Sequence, residues 1–430
     1  MTNRTSPGRV APRRRHLFIV GIIFTLGSSA MTKEPVPANY DASKIPAYSL
    51  PDPLTTLAGE KITTNEEWFR KRRPEVLLLF AEHVYGNSLG PLDSVKGRVL
   101  QEGPALDSKA IRKVIRIDFA PTAGAPYMGI HLYLPAGVNK PVPVFVGVNL
   151  FDKSKPIPMP GGRVVAEGKK IPAGLDPQML PGEETIFRIL AKGYGIATFH
   201  PGDLAPDDAK TYARGIIGFA NGNSTERKLN EWGALGAWAW GISRAVDHLA
   251  TDPAVDPERI IAIGHSRNGK AALWAGIQDT RIAAVISNQS GCGGAALSKR
   301  QFGETVALIN KRFPHWFCEK FREYDDNEAK LPVDQHLLIA GIAPRPVHIG
   351  SADGDGWADP QGEFLSTMNA SPVYELVGAG SLGTKEFPPI NTVVGNKIAY
   401  HCRAGQHALA DYDWMVYLDW CDKVLPGKEE

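Results

Sequence analysis

The sequence has few of the features that mark metal proteins or nucleic-acid-binding proteins. Its 430 residues include only four cysteines, Cys292, Cys318, Cys402 and Cys421, and neither a C-x-x-C pair nor a His-rich spacing suggests a zinc site. The formal net charge is only +2, and no basic patch of the kind that binds nucleic acid is present. What remains is an ordinary globular balance, with 43% hydrophobic and 22% charged residues, which is enough to bury a large core.

A long apolar run is also missing, and the apolar run near the N terminus is short. Residues 17–26 are apolar and follow five arginines within the first fifteen residues, whereas a membrane-spanning helix needs about 20 apolar residues. Small residues at positions 27–30 complete the pattern of a secretory signal peptide. We therefore predict a signal peptide over residues 1–30 and a secreted or periplasmic protein, and Arg14 and Arg15 leave twin-arginine export open.

The four cysteines leave two alternatives open. In an exported protein they can form two disulfides, for which three pairings are possible. Four unpaired thiols buried in a large core fit the sequence equally well.

Apolar strands and helices alternate along the chain from residue 141 onward. Residues 141–150 are a continuous apolar run, as expected for a strand buried on both faces. Further strands are predicted over residues 195–200, 260–263, 283–290, 346–355 and 398–402, and helices over residues 183–192, 230–250 and 410–424 and directly after Ser266. This alternation indicates an α/β fold with a mostly parallel sheet and helices on both faces, in one catalytic domain over residues 31–430.

Two regions depart from this alternation. The first part of the chain contains a predicted helix over residues 66–84, broken or kinked at Pro74, and three β-like runs at residues 95–102, 109–119 and 128–135. Residues 151–181 are rich in proline and glycine without a helical period. Because they follow a central strand, we predict that they form an inserted loop that helps to wall the active site, with a plain surface excursion as the alternative.

A strand, an abrupt turn and the start of a helix are predicted at residues 260–274 (IIAIGHSRNGKAALW). Ser266 lies at the corner, where α/β-hydrolases present a nucleophilic serine in the pattern G-x-S-x-G. Here Asn268 stands where the second glycine of the pattern is expected, and the next glycine is Gly269. A turn of this kind without a catalytic function is the alternative.

The residues downstream of Ser266 follow the order of an α/β-hydrolase triad, which is serine, acid and histidine. His407 is the candidate base, because it lies in a loop after the last predicted strand and a triad histidine must accept the serine proton. The acid follows a late strand in this fold, which points to Asp355, then to Asp353 and then to Asp359. For Asp353 and Asp359 the alternative role is to cap a turn or a helix.

Several short motifs resemble those of the glucuronoyl esterases, carbohydrate esterases that cut the ester between a glucuronic acid on xylan and a lignin alcohol. The resemblance covers roughly residues 50–425, and residues 151–181 resemble insertions of its bacterial branch. It rests on G-H-S-R-N-G-K (264–270), S-N-Q-S-G-C-G-G-A-A-L (287–297), F-P-H-W-F (313–317), L-P-V-D-Q-H-L-L-I-A (331–340), A-P-R-P-V (343–347), S-A-D-G-D-G-W-A-D-P (351–360) and G-Q-H (405–407).

The resemblance implies a serine esterase with an α/β-hydrolase fold, a three-layer sandwich. Ser266 would be the nucleophile and His407 the general base. Arg267 would act through its backbone N–H and through its guanidinium, both beside the oxyanion that develops in the transition state. No metal or organic cofactor is implied.

The resemblance also implies three substrate-binding residues. Lys270, one helical turn after the nucleophile, would hydrogen-bond sugar hydroxyls, and Glu304 and Trp357 match positions that bind the sugar ring with its hydroxyls or its 4-O-methyl group. Taken alone, each has a plainer interpretation: Lys270 as a solvated helix residue, Trp357 as core packing and Glu304 as a charge at a helix N terminus.

One residue departs from the family pattern. Gln289 stands in S-N-Q-S-G-C-G-G, where the family generally has the glutamate that serves as triad acid. A glutamine carries no charge, but its amide oxygen can still accept a hydrogen bond from the histidine ring. Two explanations are open: a natural variant that relies on Asp355, or a near-isosteric substitution of the glutamate, which we favour because the flanking residues keep the family pattern. In either case we expect reduced activity.

The predicted function is hydrolysis, through an acyl-enzyme, of the ester between 4-O-methyl-glucuronic acid on glucuronoxylan and lignin alcohols. Glucuronoxylan and lignin–carbohydrate esters are therefore the expected partners of a monomer that binds neither nucleic acid nor, once its signal is removed, a membrane. The alternatives are an acetyl or feruloyl esterase on xylan, and a carbohydrate-binding protein on a hydrolase scaffold that has lost hydrolysis.

Overall fold

A computed structural model describes residues 1–2, 37–90, 92, 97–122, 124–150, 183–222, 224 and 226–427. Apart from residues 1–2, the predicted signal peptide lies outside the described residues, as does the inserted loop predicted at residues 151–181. Both therefore remain predictions. Among the described helices, none combines the length and the apolar character that crossing a membrane requires.

Ten strands form one sheet in the described part of the chain. They are β1 (Gly97–Ala105), β2 (Ala110–Asp118), β3 (Tyr127–Pro135), β4 (Val142–Val148), β5 (Gly195–Phe199), β6 (Val255–His265), β7 (Ala284–Asn288), β8 (Val347–Ala352), β9 (Thr392–Gly395) and β10 (Ile398–Arg403). Their order in space is β1-β2-β3-β5-β4-β6-β7-β8-β10-β9. The six neighbours from β5 to β10 run parallel, and the strands at both edges are antiparallel. The predicted mostly parallel sheet is confirmed.

Helices cover both faces of the sheet. They are α1 (Asn65–Glu67), α2 (Arg73–Phe80), α3 (Glu183–Ala191), α4 (Ile216–Ala220), α5 (Ala234–Leu249), α6 (Arg267–Gln278), α7 (Val306–Arg312), α8 (Gln335–Ala340), α9 (Pro360–Leu376) and α10 (Asp411–Val424). Successive side chains of a strand point to opposite faces. In β4, Val144 and Val146 join the core under α2, α5, α6, α8 and α9, while Phe145 joins the core under α3 and α10.

The predicted kink at Pro74 takes the form of a change in helix type. The side chain of Thr64 caps the start of α1, residues Trp68–Arg72 are π-helical, and Pro74 lies in the first turn of α2. A proline has no N–H to donate, and the first turn of a helix needs none. The chain therefore stays helical through Pro74 instead of breaking there.

Helix α9 was missed from the sequence. Pro360 begins it and Pro372 lies inside it, so its sequence has the residues that usually end a helix. Packing supplies what propensity lacks, because Phe364, Val373 and Tyr374 are fully buried. Strand β9 was also missed, since its four residues are mostly exposed.

The structure decides between disulfides and free thiols for the four cysteines. All four are unpaired and buried, so the disulfide alternative is wrong for this structure. Cys292, Cys402 and Cys421 pack into the core on both faces of the sheet.

The carboxyl ends of the parallel strands meet at one edge, where α/β folds bind ligands. Ser266 follows β6, Gln289 follows β7, Asp355 lies three residues after β8 and His407 lies four residues after β10. Four residues that are far apart in sequence are thus brought to one edge of the sheet.

Candidate active site

Ser266 occupies a sharp corner between β6 and α6. Its backbone has φ 55° and ψ −126°, a conformation that costs free energy for a residue with a side chain and is found at functional turns. Its N–H donates to the carbonyl oxygen of Asn288 on β7 at 2.8 Å, which fixes the corner to the neighbouring strand. The serine is half-buried, so its hydroxyl remains within reach of solvent and substrate.

The glycines of this turn explain the shifted pattern. A Cβ on Gly264 would lie 2.1 Å from the carbonyl oxygen of Asn268, and a Cβ on Gly269 would lie 2.9 Å from Ser287 Oγ and 3.0 Å from the carbonyl oxygen of Gly264. Strand and helix therefore approach each other at Gly264 and Gly269. Asn268 itself is half-buried, so the second glycine is needed one residue later than in the usual pattern.

His407 and Asp355 form the pair that a triad requires. Nδ1 of His407 lies 2.5 Å from Oδ2 of Asp355, and the Asp355 side chain is 4% exposed against 29% for the His407 side chain. The two other candidate acids are engaged elsewhere. Asp353 accepts a hydrogen bond from the N–H of Gly405, and Asp359 is paired with Arg300 at the start of α9.

The Arg267 guanidinium is held in place by an acid that the sequence did not reveal. Arg267 is the first residue of α6, so its backbone N–H has no partner within the helix. Its side chain pairs with Asp207 and lies 4.9 Å from the ring centre of Trp316. Asp207 also accepts hydrogen bonds from His315 Nε2 at 2.9 Å and Trp316 Nε1 at 2.7 Å.

These contacts keep Asp207 ionised. Burial alone would raise the pKa of Asp207, but the hydrogen bonds from His315 and Trp316 and the charge of Arg267 outweigh it and lower the pKa to about 2. The motif F-P-H-W-F at residues 313–317 supplies two of these donors. Asp207 itself lies in a polar loop with no sequence pattern, about 60 residues before Arg267, which is why it was missed.

The three predicted substrate-binding residues lie together. Nζ of Lys270 donates to the carbonyl oxygens of Ser290 and, at 2.7 Å, of Cys292, and it lies 4.0 Å from Oε2 of Glu304. The backbone N–H of Glu304 in turn donates to the carbonyl oxygen of Trp357 at 3.0 Å. Burial lowers the pKa of Lys270 and raises that of Glu304, and the attraction between their opposite charges opposes both shifts.

These contacts decide between a substrate-site position and the plainer interpretation for Lys270 and Glu304. Lys270 is only 3% exposed, so the interpretation of a solvated helix residue is wrong. Glu304 lies two residues before α7, where Thr305 caps the helix, and the Glu304 carboxylate is directed toward Lys270 instead. The side chain of Trp357 is partly exposed, with the Arg312 guanidinium 6.0 Å from its ring centre.

Comparison with known proteins gives the family. A family model described as "Glucuronyl esterase, fungi" matches residues 179–378. Carbohydrate esterase MZ0003, from an unknown prokaryotic organism, is 43% identical over 91% of this chain and 93% of its own length. The chain belongs to the glucuronoyl esterases. The predicted family, the predicted carboxylic ester hydrolase class and the predicted α/β-hydrolase fold are thereby confirmed.

Solved esterases and curated fungal relatives agree with this assignment. A glucuronoyl esterase from Solibacter usitatus is 40% identical and superposes with a TM-score of 0.81, covering 89% of this chain and all of its own. The 4-O-methyl-glucuronoyl methylesterase of Neurospora crassa is 28% identical over 80% of this chain and 77% of its own length.

Gln289 of this esterase hydrogen-bonds the backbone beside His407 and not the histidine ring. It directly follows β7, has a positive φ of 47° and is 1% exposed. Its Nε2 donates to the carbonyl oxygen of Ala408 at 2.9 Å, and its Oε1 accepts from the N–H of Ala408 at 3.0 Å. The hydrogen bond that the amide oxygen of Gln289 could accept from the ring of His407 is not formed, because Nδ1 of His407 is paired with Asp355 instead.

A second histidine, also missed, lies against His407. The rings of His265 and His407 are 4.5 Å apart between centres, and His265 Nδ1 lies 2.7 Å from Oδ1 of Asn288. Burial, together with the nearby His407, lowers the pKa of His265 to about 3. His265 is therefore a neutral ring that supports His407 of the esterase from the sheet side. Its place between Gly264 and Ser266 was the signal available in the sequence.

Proposed function

We propose that this chain hydrolyses the ester between 4-O-methyl-glucuronic acid on glucuronoxylan and lignin alcohols, through an acyl-enzyme on Ser266. The observation that carries the proposal is the Asp355–His407 pair at the same sheet edge as the strained Ser266 corner. The names of relatives such as the 4-O-methyl-glucuronoyl methylesterase of Neurospora crassa support the choice of substrate.

The residues divide the chemistry among them. His407 Nε2 takes the proton of Ser266 while Oγ attacks the C6 carbonyl carbon of the uronic ester, and Asp355 holds the Nδ1–H side of the ring. The tetrahedral oxyanion is stabilised by Arg267. When the ester C–O bond breaks, the alcohol leaves with the proton from His407. A water molecule, deprotonated by His407, then attacks the acyl-enzyme; Ser266 Oγ leaves with the proton from His407, and the uronic acid carboxyl group is set free while its sugar stays on the xylan.

The buried pair of Lys270 and Glu304 supplies the sugar contacts. Two of the three N–H donors of Lys270 are used on backbone carbonyls, which fixes the ammonium group and leaves one donor to direct at Glu304 or at a hydroxyl. Glu304 offers acceptor oxygens to sugar hydroxyls, and the partly exposed Trp357 offers a flat apolar face to the ring. An acetyl or feruloyl esterase would have no use for this set.

Substrate preference tests the proposal. Activity on benzyl glucuronate should exceed activity on acetyl and feruloyl esters of xylose by at least about tenfold in kcat/KM, which corresponds to about 1.4 kcal/mol of transition-state binding. Equal activity on the three esters, or a preference for the acetyl or feruloyl ester, contradicts the assigned substrate.

The binding-protein alternative is tested separately. A serine-directed phosphonate should label Ser266 of the native chain and should leave Ser266→Ala unlabelled, since labelling needs a nucleophile activated by His407. A native chain that stays unlabelled contradicts the esterase mechanism and favours a carbohydrate-binding role.

The place of action follows from the N-terminal residues. We propose that the chain is exported and processed near residue 31 and acts as a monomer outside the cytoplasm, because xylan and lignin are extracellular polymers. N-terminal sequencing of protein recovered from the periplasm or the medium should find a start near residue 31. An intact N terminus on cytoplasmic protein contradicts the proposal.

A further inference from the structure

The loop that carries His407 has no regular secondary structure of its own. Residues 404–410 connect β10 to α10, and a catalytic histidine on such a loop must be held within a fraction of an ångström of its working position. Side chains from outside the loop supply hydrogen bonds that a helix or strand would otherwise provide. Those that reach the backbone of the residues on either side of His407 are Gln289, directly after β7, and Arg403, at the end of β10.

Arg403 binds the loop from the sheet side. Its Nη1 donates to the carbonyl oxygen of Ala404 at 2.9 Å, and its Nη2 donates to those of Gln406 at 2.9 Å and Ala408 at 2.6 Å. The carbonyls on both sides of His407 in the chain are therefore bound by one guanidinium group.

Asp413 fixes Arg403 in turn. The fully buried carboxylate of Asp413 accepts from Arg403 Nε at 2.7 Å and from the N–H of Ala410 at 2.8 Å. Its second oxygen lies 3.0 Å from His401 Nε2. A buried charge pair gains little net stability, so its value here is the fixed direction that it gives to the guanidinium.

Gln289 binds the loop from the end of β7, which is separated from β10 by β8. Both the N–H and the carbonyl oxygen of Ala408 are paired with its amide group. The Ala408 oxygen thus accepts two hydrogen bonds, one from Gln289 and one from Arg403, which uses both of its lone pairs. Ala408 is the residue directly after His407.

We propose that Gln289 and Arg403 are positioning residues that clamp Ala408 and thereby hold His407 against Asp355. This inference rests on the proposed function, because it assigns His407 as the base. The clamp needs an amide at position 289, because its oxygen accepts from the N–H of Ala408 while its nitrogen donates to the carbonyl oxygen of the same residue. A glutamate carboxylate has acceptors only, and one of its oxygens would face the Ala408 carbonyl oxygen.

Gln289→Met tests the clamp, because methionine keeps the length and the burial but removes both hydrogen bonds. We expect kcat on benzyl glucuronate to fall by about 10- to 100-fold, as for a catalytic group displaced by about 1 Å, with KM unchanged. Hydrogen exchange at residues 404–410 should become faster. Arg403→Lys, whose ammonium has only three N–H donors for the four acceptors that Arg403 binds, should act in the same direction.

Gln335→Met is the matched control. Gln335 is equally buried, at 1% exposed, and its Nε2 donates to a backbone carbonyl, that of Gly294, at 2.6 Å. The control should cost stability comparable to Gln289→Met in a melting experiment but leave kcat within about twofold. A loss of kcat that matches that of the control contradicts a positioning role.

Gln289→Glu gives the sharpest contrast. If the amide is required, this variant has a lower kcat than the native chain; a kcat equal to or above the native value overturns the proposal. Ser266→Ala separates this failure from failure of the proposed function. When Ser266→Ala is inactive and Gln289→Met keeps native kcat, the clamp alone is wrong; when Ser266→Ala keeps activity, the esterase mechanism itself is wrong.

Discussion

The ends of β7 and β8 lie side by side in the sheet, and each places one side chain on the loop that carries His407. At the end of β8 a carboxylate, Asp355, contacts the ring nitrogen. At the end of β7 an amide, Gln289, contacts the backbone of Ala408. A charge is effective where the ring gains a proton, whereas a paired donor and acceptor suit a peptide group. In the proposed mechanism Asp355 therefore stabilises charge and Gln289 fixes position, two tasks that a single triad acid would otherwise combine.

The largest expected effect comes from removing the negative charge of Asp355. Asp355→Asn should lower kcat by on the order of 10³- to 10⁴-fold, because an amide cannot stabilise the imidazolium and favours the wrong ring tautomer. Steady-state kinetics on benzyl glucuronate measures it, with Asp353→Asn as the control, since an amide oxygen can keep the hydrogen bond that Asp353 accepts from the N–H of Gly405. If Asp355→Asn changes the rate by less than about twofold, Asp355 is not the working acid.

A smaller effect is expected at the oxyanion. Asp207→Asn should release the Arg267 guanidinium, and kcat should fall by about tenfold, less than the 10²- to 10³-fold typical when an oxyanion donor is removed outright. The comparison is with Arg267→Ala, which should show the larger loss. Equal losses in the two variants would mean that Asp207 takes part in catalysis directly, and no loss in Asp207→Asn would mean that Arg267 does not depend on it.

A further prediction concerns stability instead of rate, at the contact that ties the two strand ends together. Glu363 on α9 accepts from the N–H of Gly291 at 3.0 Å, just after Gln289, and from Ser351 Oγ on β8 at 2.5 Å. Burial raises the pKa of Glu363 to about 8, from an ordinary value of 4.5. Between those two pH values the folded state holds a proton that the unfolded state has lost. Stability from this group is therefore present below pH 4.5 and decreases by about 1.4 kcal/mol per pH unit as the pH rises toward 8.

Glu363→Gln removes this dependence while keeping one acceptor and one donor. The melting temperature of the variant should be close to that of the native chain near pH 5 and should exceed it increasingly toward pH 8. Thermal unfolding of both proteins across this range measures the difference. A constant difference over the whole range would mean that Glu363 does not hold a proton in the folded protein.

The residues of this site that could be predicted from the sequence are those set by a local pattern or by the order of residues along the fold. The strand, turn and helix around Ser266 lie within fifteen residues, and the order of Ser266, Asp355 and His407 follows from the fold itself. The side chains that hold His407 and Arg267 in place could not be predicted in this way, because they come from distant parts of the chain. Gln289 meets the backbone of Ala408, 119 residues away, and a contact with a peptide group leaves no trace in residue type at the other end. Asp207 lies 60 residues from Arg267, in a loop without periodicity.

The fold shows the same division between local pattern and packing. The continuous apolar run of β4 and the apolar face of α5 predicted buried elements, and both are buried. The prolines of α9 concealed a helix whose existence depends on aromatic packing against β8 and β10. The side chain of Glu363, which ties the ends of β7 and β8, was missed with it.

Proton NMR of the Nδ1–H of His407 shows whether Asp355 or Gln289 is the partner of the ring, since a hydrogen bond to a carboxylate moves this resonance far downfield. We expect a downfield His407 signal in the native chain and in Gln289→Met, and its loss in Asp355→Asn. A signal that survives in Asp355→Asn but disappears in Gln289→Met would show that Gln289, and not Asp355, holds the ring.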